Sequence, residues 1–128
     1  MIKFREYKTN SGKLVLIGKN AENNEHLIEQ VGKDEDIFHT SAPGSPFVNI
    51  KGKSNSKDLE EAAIFCAAKS RDWRDNKKDV KVHLFKGKDI YKKKEMKIGT
   101  FGVKNFKIIN VKKKDIEKFL KRQEKNEN

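Results

Sequence analysis

The residues of this chain that could do chemistry fall into two groups: a few metal- or acid-base-competent side chains, and a much larger set of cations. The first group is three histidines, His26, His39 and His83, and one cysteine, Cys66. Their spacing matches no metal-ligand pattern, and Cys66 falls on the apolar stripe of a predicted helix, so neither a metal nor a cofactor is expected. The chain has no Ser-His-Asp order, no HExxH run, no glycine-rich phosphate loop ending in Lys-Ser or Lys-Thr, and no carboxylate pair in an apolar setting. It therefore reads as a binding protein and not an enzyme, although a fold can assemble a general base from His39 and residues distant in sequence.

The cations point to phosphate. Gly18-Lys19-Asn20 precedes a predicted helix start, where free backbone N–H groups and the positive end of the helix dipole favour an anion. Asn23 and Asn24 follow on the first turn. Asn20 serves equally well as a plain helix cap, and both roles stay open. His39 ends a predicted strand before Pro43-Gly44-Ser45-Pro46, where it can hydrogen-bond or stack with a base, while Ser45 can meet a phosphate or a 2′-hydroxyl. The competing role is a structural histidine that fixes the turn. Lys69-Ser70-Arg71-Asp72-Trp73-Arg74 sets three cations around one aromatic ring. Trp73 either stacks on an unpaired base, with Arg71 and Arg74 on phosphates, or covers one end of the core. Lys92, Lys93, Lys94, Lys97 and Lys104 form the strongest candidate grip, because lysines give affinity for a phosphate backbone with little base specificity. Lys112-Lys113-Lys114 reads as the solvated start of a surface helix.

The distribution of charge supports this. The chain carries 30 basic and 19 acidic residues, a net +11. Between Lys77 and Lys114 there are 14 lysines against Asp79, Asp89 and Glu95, also +11, so the remaining 16 basic and 16 acidic residues cancel. A field confined to one segment indicates a polyanionic partner more strongly than a high isoelectric point does. A lysine-rich solubility surface is the plainer alternative. No apolar run has the length of a signal peptide or membrane span, and a lone cysteine suits a reducing compartment, so a cytoplasmic protein without membrane attachment is expected.

Elements that could position these residues are legible despite a hydrophobic fraction of 34% against 38% charged. Strand-like runs at residues 2–7 and 13–17 flank Asn10-Ser11-Gly12, which predicts a hairpin. Asn20 caps a helix from Ala21 to about Val31, with Leu27, Ile28 and Val31 facing inward and Gly32 placed to end it. Strands follow at 36–40 and 47–51, joined by a Pro/Gly turn. Ser56 is placed to cap a central helix that carries Leu59, Ala62, Ala63, Cys66 and Ala67 and ends near Trp73. Val80, Val82 and Leu84 alternate with Lys81, His83 and Phe85 in a strand with one wet face. Shorter strands are expected at 90–91, 100–103 and 106–111, then a surface helix from Lys114 to about Lys125 and a frayed end at 126–128. Adjacent hairpin pairs broken by two main helices predict a single α+β domain over residues 1–125 with a largely antiparallel sheet.

Three segments together resemble a known module. They are Leu16-Ile17-Gly18-Lys19-Asn20-Ala21-Glu22-Asn23-Asn24; Asp36-Ile37-Phe38-His39 with Pro43-Gly44-Ser45; and Leu59-Glu60-Glu61-Ala62-Ala63 running to Ser70, followed by Ile90-Tyr91-Lys92-Lys93 and Gly99. In this order and spacing, over roughly residues 4 to 112, they are similar to the NFACT-R domain. That domain is the RNA-binding part of the NFACT proteins of ribosome-associated quality control. The family often has an aromatic or aliphatic residue where Asp36-Ile37-Phe38 runs, and Trp73-Arg74 looks like a subgroup feature. The resemblance implies a module that binds tRNA or ribosomal RNA within translation. Larger members set it beside a glycosylase-like N-terminal domain and a long coiled coil, neither of which these residues resemble. The expectation is therefore a stand-alone form, without the larger proteins' addition of C-terminal tails to stalled chains. Two other roles stay open: presenting tRNA to a separate modification (thiolation) enzyme, and docking on an acidic ribosomal protein.

Overall fold

The computed structural model describes residues 2–127, with side chains to residue 124. Its frame is a six-stranded sheet in the order β1-β2-β4-β3-β5-β8, every neighbouring pair antiparallel. Strands β1 (Arg5–Lys8) and β2 (Leu14–Ile17) form the expected hairpin, with Gly12 at φ +91° in its turn. Helix α1 (Ala21–Glu29) is capped by Asn20, whose side chain accepts from the Asn23 N–H at 2.8 Å. It ends earlier than the apolar pattern suggests, with Gln30 as its last cap and not Gly32. Strands β3 (Asp36–Thr40) and β4 (Val48–Ile50) follow and pair with each other.

Helix α2 (Ser56–Ala68) starts one residue before its expected cap allows. Asn55, not Ser56, holds the cap position and accepts from the Asp58 N–H at 2.8 Å, while the Asp58 carboxylate accepts from the Asn55 N–H at 3.1 Å. This reciprocal box satisfies two of the donors that a helix start leaves free. The helix also stops short of Trp73. It ends at Ala68, and Ser70 caps a separate short helix α3 (Arg71–Asn76), which Lys77 closes in a left-handed conformation at φ +51°. Strand β5 (Val80–Lys86), a single 3-10 turn at Gly87–Asp89, a two-stranded ribbon of β6 (Ile90–Tyr91) and β7 (Gly102–Val103), and strand β8 (Lys107–Val111) complete the strands. Helix α4 (Lys113–Glu127) extends through most of the segment where fraying is expected, and Asn128 lies outside the described residues.

Alternation along the strands sends side chains to two faces. On one face Val15, Ile17, Phe38, Val48, Ile50, Val80, Val82 and Val111 pack against Ala62, Ala63, Cys66 and Ala67 of α2 and Ile116 of α4. Tyr7, Phe65 and Phe119 close that core, with ring centroids 5.1 Å apart for Tyr7–Phe65 and 5.0 Å for Phe65–Phe119. On the other face Leu16, Ile37, Phe47 and Phe85 are covered by Leu27 of α1, by Ile90 and Val103 of the ribbon, and by Phe101 just before β7. Cover on this second face is partial. Toward β8 the sheet stays open, and Phe106 and Ile108 are exposed.

The capping box gives a direct stability test. Replacing Asn55 with Ala removes one acceptor from the start of the central helix, and a loss of about 1 kcal/mol is expected. Urea unfolding should show a lower midpoint with an unchanged slope, whereas Ser56→Ala should be close to neutral.

Candidate nucleic-acid interface

Four separate segments meet at one end of the sheet and enclose a cleft of about 740 Å³. The start of α1 (Gly18 to Ala21), the loop after β3 (Thr40 to Phe47), the α2–α3 junction (Lys69, Arg71) and the segment Gly99–Phe101 form its walls. His39, Phe47, His83 and Phe85 lie on its floor side of the sheet. Arg5, Lys19, Lys69 and Arg71 supply the charge, and among the described residues no aspartate or glutamate lines the cleft. Nor does any carboxylate lie within 4.0 Å of these four cations among the described residues. Unpaired cations around a concave floor with aromatic rings are suited to a phosphodiester chain carrying bases.

Specific contacts hold the walls. The Thr40 N–H donates to Ser45 Oγ at 3.1 Å, Thr40 Oγ1 donates to the Ala42 carbonyl at 2.6 Å, and Ser45 Oγ donates to the Pro46 carbonyl at 2.8 Å. The loop is tied to α3 by the Arg71 N–H, which donates to the Gly44 carbonyl at 3.0 Å. Gly44 has φ +90°, and a Cβ there would come within 2.9 Å of Arg71 Cβ, so a side chain would meet both backbone strain and the arginine. On the opposite wall Glu25 of α1 accepts from Lys92 Nζ at 2.7 Å and from the Gly99 N–H at 2.6 Å. Partial burial acts to raise the Glu25 carboxyl, but the Lys92 and Gly99 hydrogen bonds outweigh it and hold the group below its ordinary range.

The residues singled out in the sequence separate into two sets. Lys19, Asn20, Asn24, His39, Gly44, Ser45, Lys69 and Arg71 all line the cleft. Several of them are already engaged. Asn24 is buried and its Oδ1 accepts from the Phe47 N–H at 3.3 Å, and the Ser45 hydroxyl is occupied within its own loop. Asn23 lies outside the cleft and staples the chain, accepting from the Lys19 N–H at 2.9 Å and donating to the Lys3 carbonyl at 3.0 Å. The structure corrects two assignments. Trp73 is 5% exposed and belongs to the core, so it offers no face to a base. Ser70 is buried as the cap of α3, donating to the Ala67 carbonyl at 2.7 Å and accepting from the Trp73 N–H at 3.1 Å. Arg74 points into solvent beside Asp75 at 3.7 Å.

The lysine cluster is also divided. Lys92 is a structural clamp: besides Glu25 it donates to the carbonyls of Lys97 and Thr100, and it lies 4.7 Å from the Phe101 ring centroid. Lys93 lies over the Tyr91 ring at 5.9 Å, and Lys94, Lys97 and Lys104 are exposed. None of these five lines the cleft. Arg5, which sequence reading passed over, does. Its signal was the hairpin register, which sets Arg5 opposite Ile17 and so beside the Gly18-Lys19 turn.

With His83, His39 is one of two histidines on the floor. Its Nδ1 lies 2.9 Å from the Thr40 carbonyl, an acceptor only, so Nδ1 carries the proton and Nε2 of the neutral ring is an acceptor. Burial lowers the pKa of His39, and the neighbouring His83 adds to that, outweighing the opposing hydrogen bonds to the backbone of Thr40 and Ser45. His83 is lowered by burial as well. Both rings are neutral near pH 7. Cys66 is no nucleophile, because burial pushes its thiol up to about 12.

These features place the chain among small antiparallel α+β domains with a cationic cleft beside the sheet. The sequence model of the family described as the NFACT protein RNA binding domain matches residues 3–105, and the chain belongs to that family. It is accordingly an RNA-binding domain, from a family defined by binding and not by catalysis. Among solved structures, the C-terminal part of the fibronectin/fibrinogen-binding protein from Streptococcus suis has the same fold, with a TM-score of 0.79 at 23% identity. The match covers 91% of this chain and 48% of that one, so the chain spans about half of its structural relative. A comparison with curated protein sequences finds no match.

The histidines predict a pH dependence. A lowered folded-state pKa means that the unfolded chain binds more protons, so stability rises with pH between the two values. The contribution of His39 is complete above its ordinary value of 6.5 and is lost as pH falls through the lowered one. Melting temperature should therefore drop from pH 7.5 to pH 5.5, above the range where carboxylates titrate. His39→Asn should flatten that drop, and adding His83→Asn should flatten it further. An equally steep drop in the double variant would contradict the assignment.

Proposed function

We propose that the domain binds structured RNA, most directly tRNA or ribosomal RNA, through the cleft, in the cytoplasm and in the service of translation or ribosome-associated quality control. The observation that carries this reading is the convergence of Arg5, Lys19, Lys69 and Arg71 on one concave surface without a carboxylate among its lining residues. Family membership supports RNA as the polyanion. The Lys19 N–H is taken up by Asn23, so the start of α1 contributes the Lys19 ammonium and the positive end of the helix dipole, both of which favour a phosphate. Lys69 and Arg71, on the facing wall, hold a second phosphate. Neutral His39 supplies an acceptor for a 2′-hydroxyl or an exocyclic amine, and DNA, lacking the hydroxyl, satisfies it less well. The exposed lysines of residues 93–97 and 104 add a long-range field that speeds encounter without fixing register.

Binding of purified tRNA and of a ribosomal RNA fragment across a salt series, with duplex DNA as control, tests this. Affinity should fall linearly on logarithmic axes and exceed that for DNA. In the Lys69→Ala, Arg71→Ala double variant the slope should become shallower by roughly 0.7–0.9 for each phosphate that the variant no longer neutralises. Equal weak binding to every polyanion, gone at physiological salt, would overturn the reading.

A further inference from the structure

The open part of the sheet's second face carries a feature that the cleft does not use. His39 on β3, His83 on β5 and Ile108 on β8 are register neighbours in one row across three strands. Phe106, just before β8, stacks on His83 with ring centroids 4.1 Å apart and planes 19° from parallel. Phe106 is nevertheless 47% exposed, and Ile108 is 59% exposed. Two large apolar side chains on one patch, with one aromatic ring already seated flat on another, cost solvation and mark a surface that is covered in use.

Several observations decide what covers it. The patch is continuous with the cleft, because His83 lines the cleft on one side and supports Phe106 on the other. Lys81 projects from the same face of β5, and Lys104 lies in the turn before Phe106. Both are exposed, and neither has a carboxylate within 4.0 Å among the described residues. The carboxylates beside the hollow that Phe106 lines are engaged: Asp89 accepts from the Asn105 amide at 3.4 Å, and Asp36 is paired with Lys86 at 2.9 Å. His83 is neutral near pH 7, so its ring carries no charge that would need solvent. A flat aromatic surface flanked by cations and running out of a phosphate-binding cleft fits a planar, uncharged ring attached to an anionic backbone.

We infer that Phe106, supported by His83 and bordered by Ile108, is a stacking platform for an unpaired nucleobase of the RNA whose phosphates lie in the cleft. The inference rests on the proposed cleft reading and narrows it. The RNA must present at least one unstacked nucleotide next to the segment held by Lys69 and Arg71, as a loop, a bulge or a single-stranded end does. Blunt duplex binds through its phosphates alone and leaves the platform empty.

Three RNAs and four variants test it by fluorescence anisotropy: a hairpin with an unpaired loop, its stem as a blunt duplex, and a single strand of the loop sequence. Phe106→Ala should weaken hairpin and single-strand binding by about 5- to 150-fold, the range for removal of one base–aromatic stack. It should leave duplex affinity and the salt slope of all three unchanged, because a stack releases no counterions. Phe106→Tyr should restore binding, and Ile108→Thr should give a smaller loss with the same selectivity. Lys69→Ala with Arg71→Ala should instead weaken all three RNAs and flatten the slope. Weakening in that cleft variant with no effect of Phe106→Ala would overturn the platform and spare the cleft, and no effect of the cleft variant would overturn both. The platform is equally refuted if Phe106→Ala weakens duplex as much as loop, or if it leaves RNA binding intact and converts a dimer of the free protein to monomer.

Discussion

One backbone hydrogen bond organises the functional end of this molecule: the Arg71 N–H to the Gly44 carbonyl, 3.0 Å. It joins the loop after β3 to the break between α2 and α3, two segments on different layers of the fold. The break exists because Ser70 caps a new helix where the old one could have continued, and the turn it makes carries the Arg71 side chain toward the loop. The loop exists in its folded form because Thr40 and Ser45 satisfy its polar groups internally. Only with both in place do Lys69 and Arg71 face Lys19 and Arg5 across one cleft. A glycine at position 44 is the condition for that approach, since any side chain would displace the arginine that makes the surface cationic.

Charge location matters more here than charge total. The lysine-rich segment 77–114 holds all of the net charge, yet the cations that line the cleft come from the rest of the chain, whose charges cancel. Lys92 shows why counting misleads. Its ammonium is held by Glu25, 67 residues earlier, and by two carbonyls, which turns an apparent phosphate ligand into a brace for the cleft wall. Conversely Lys19 and Arg71 sit in locally balanced sequence and gain their significance only when the fold removes carboxylates from their surroundings. The excess lysines contribute an attractive field, and the cleft contributes position.

Local signals were legible where local physics decides the outcome. Strand β3 at Asp36–Thr40, the Asn20 cap, the pair Ile90–Tyr91 and the inward stripe of α4 follow from alternation, capping chemistry and helical spacing. Misreadings arose where two local solutions compete. Asn55 and Ser56 are both good caps, and the reciprocal bond to Asp58 selects Asn55. Helical periodicity runs through Ser70, but its hydroxyl serves the next helix better than it fits the interior of the last. Trp73 between arginines carries the composition of a stacking site, and only the tertiary fold reveals that it is buried. The cleft itself was legible as separate fragments. Lys19, His39, Ser45 and Arg71 each carry a recognisable chemistry, whereas their meeting depends on a strand order that no window of sequence contains.

The most direct test of the account is to map where RNA touches the domain, by following backbone amide resonances of the labelled protein during titration with tRNA. The account predicts that the largest shifts cluster at residues 18–21, 40–46, 69–71 and 99–101, four stretches far apart in sequence that border one cleft. Shifts confined to residues 92–97 and 112–114, with those four stretches silent, would contradict it and return the RNA to the lysine-rich surface.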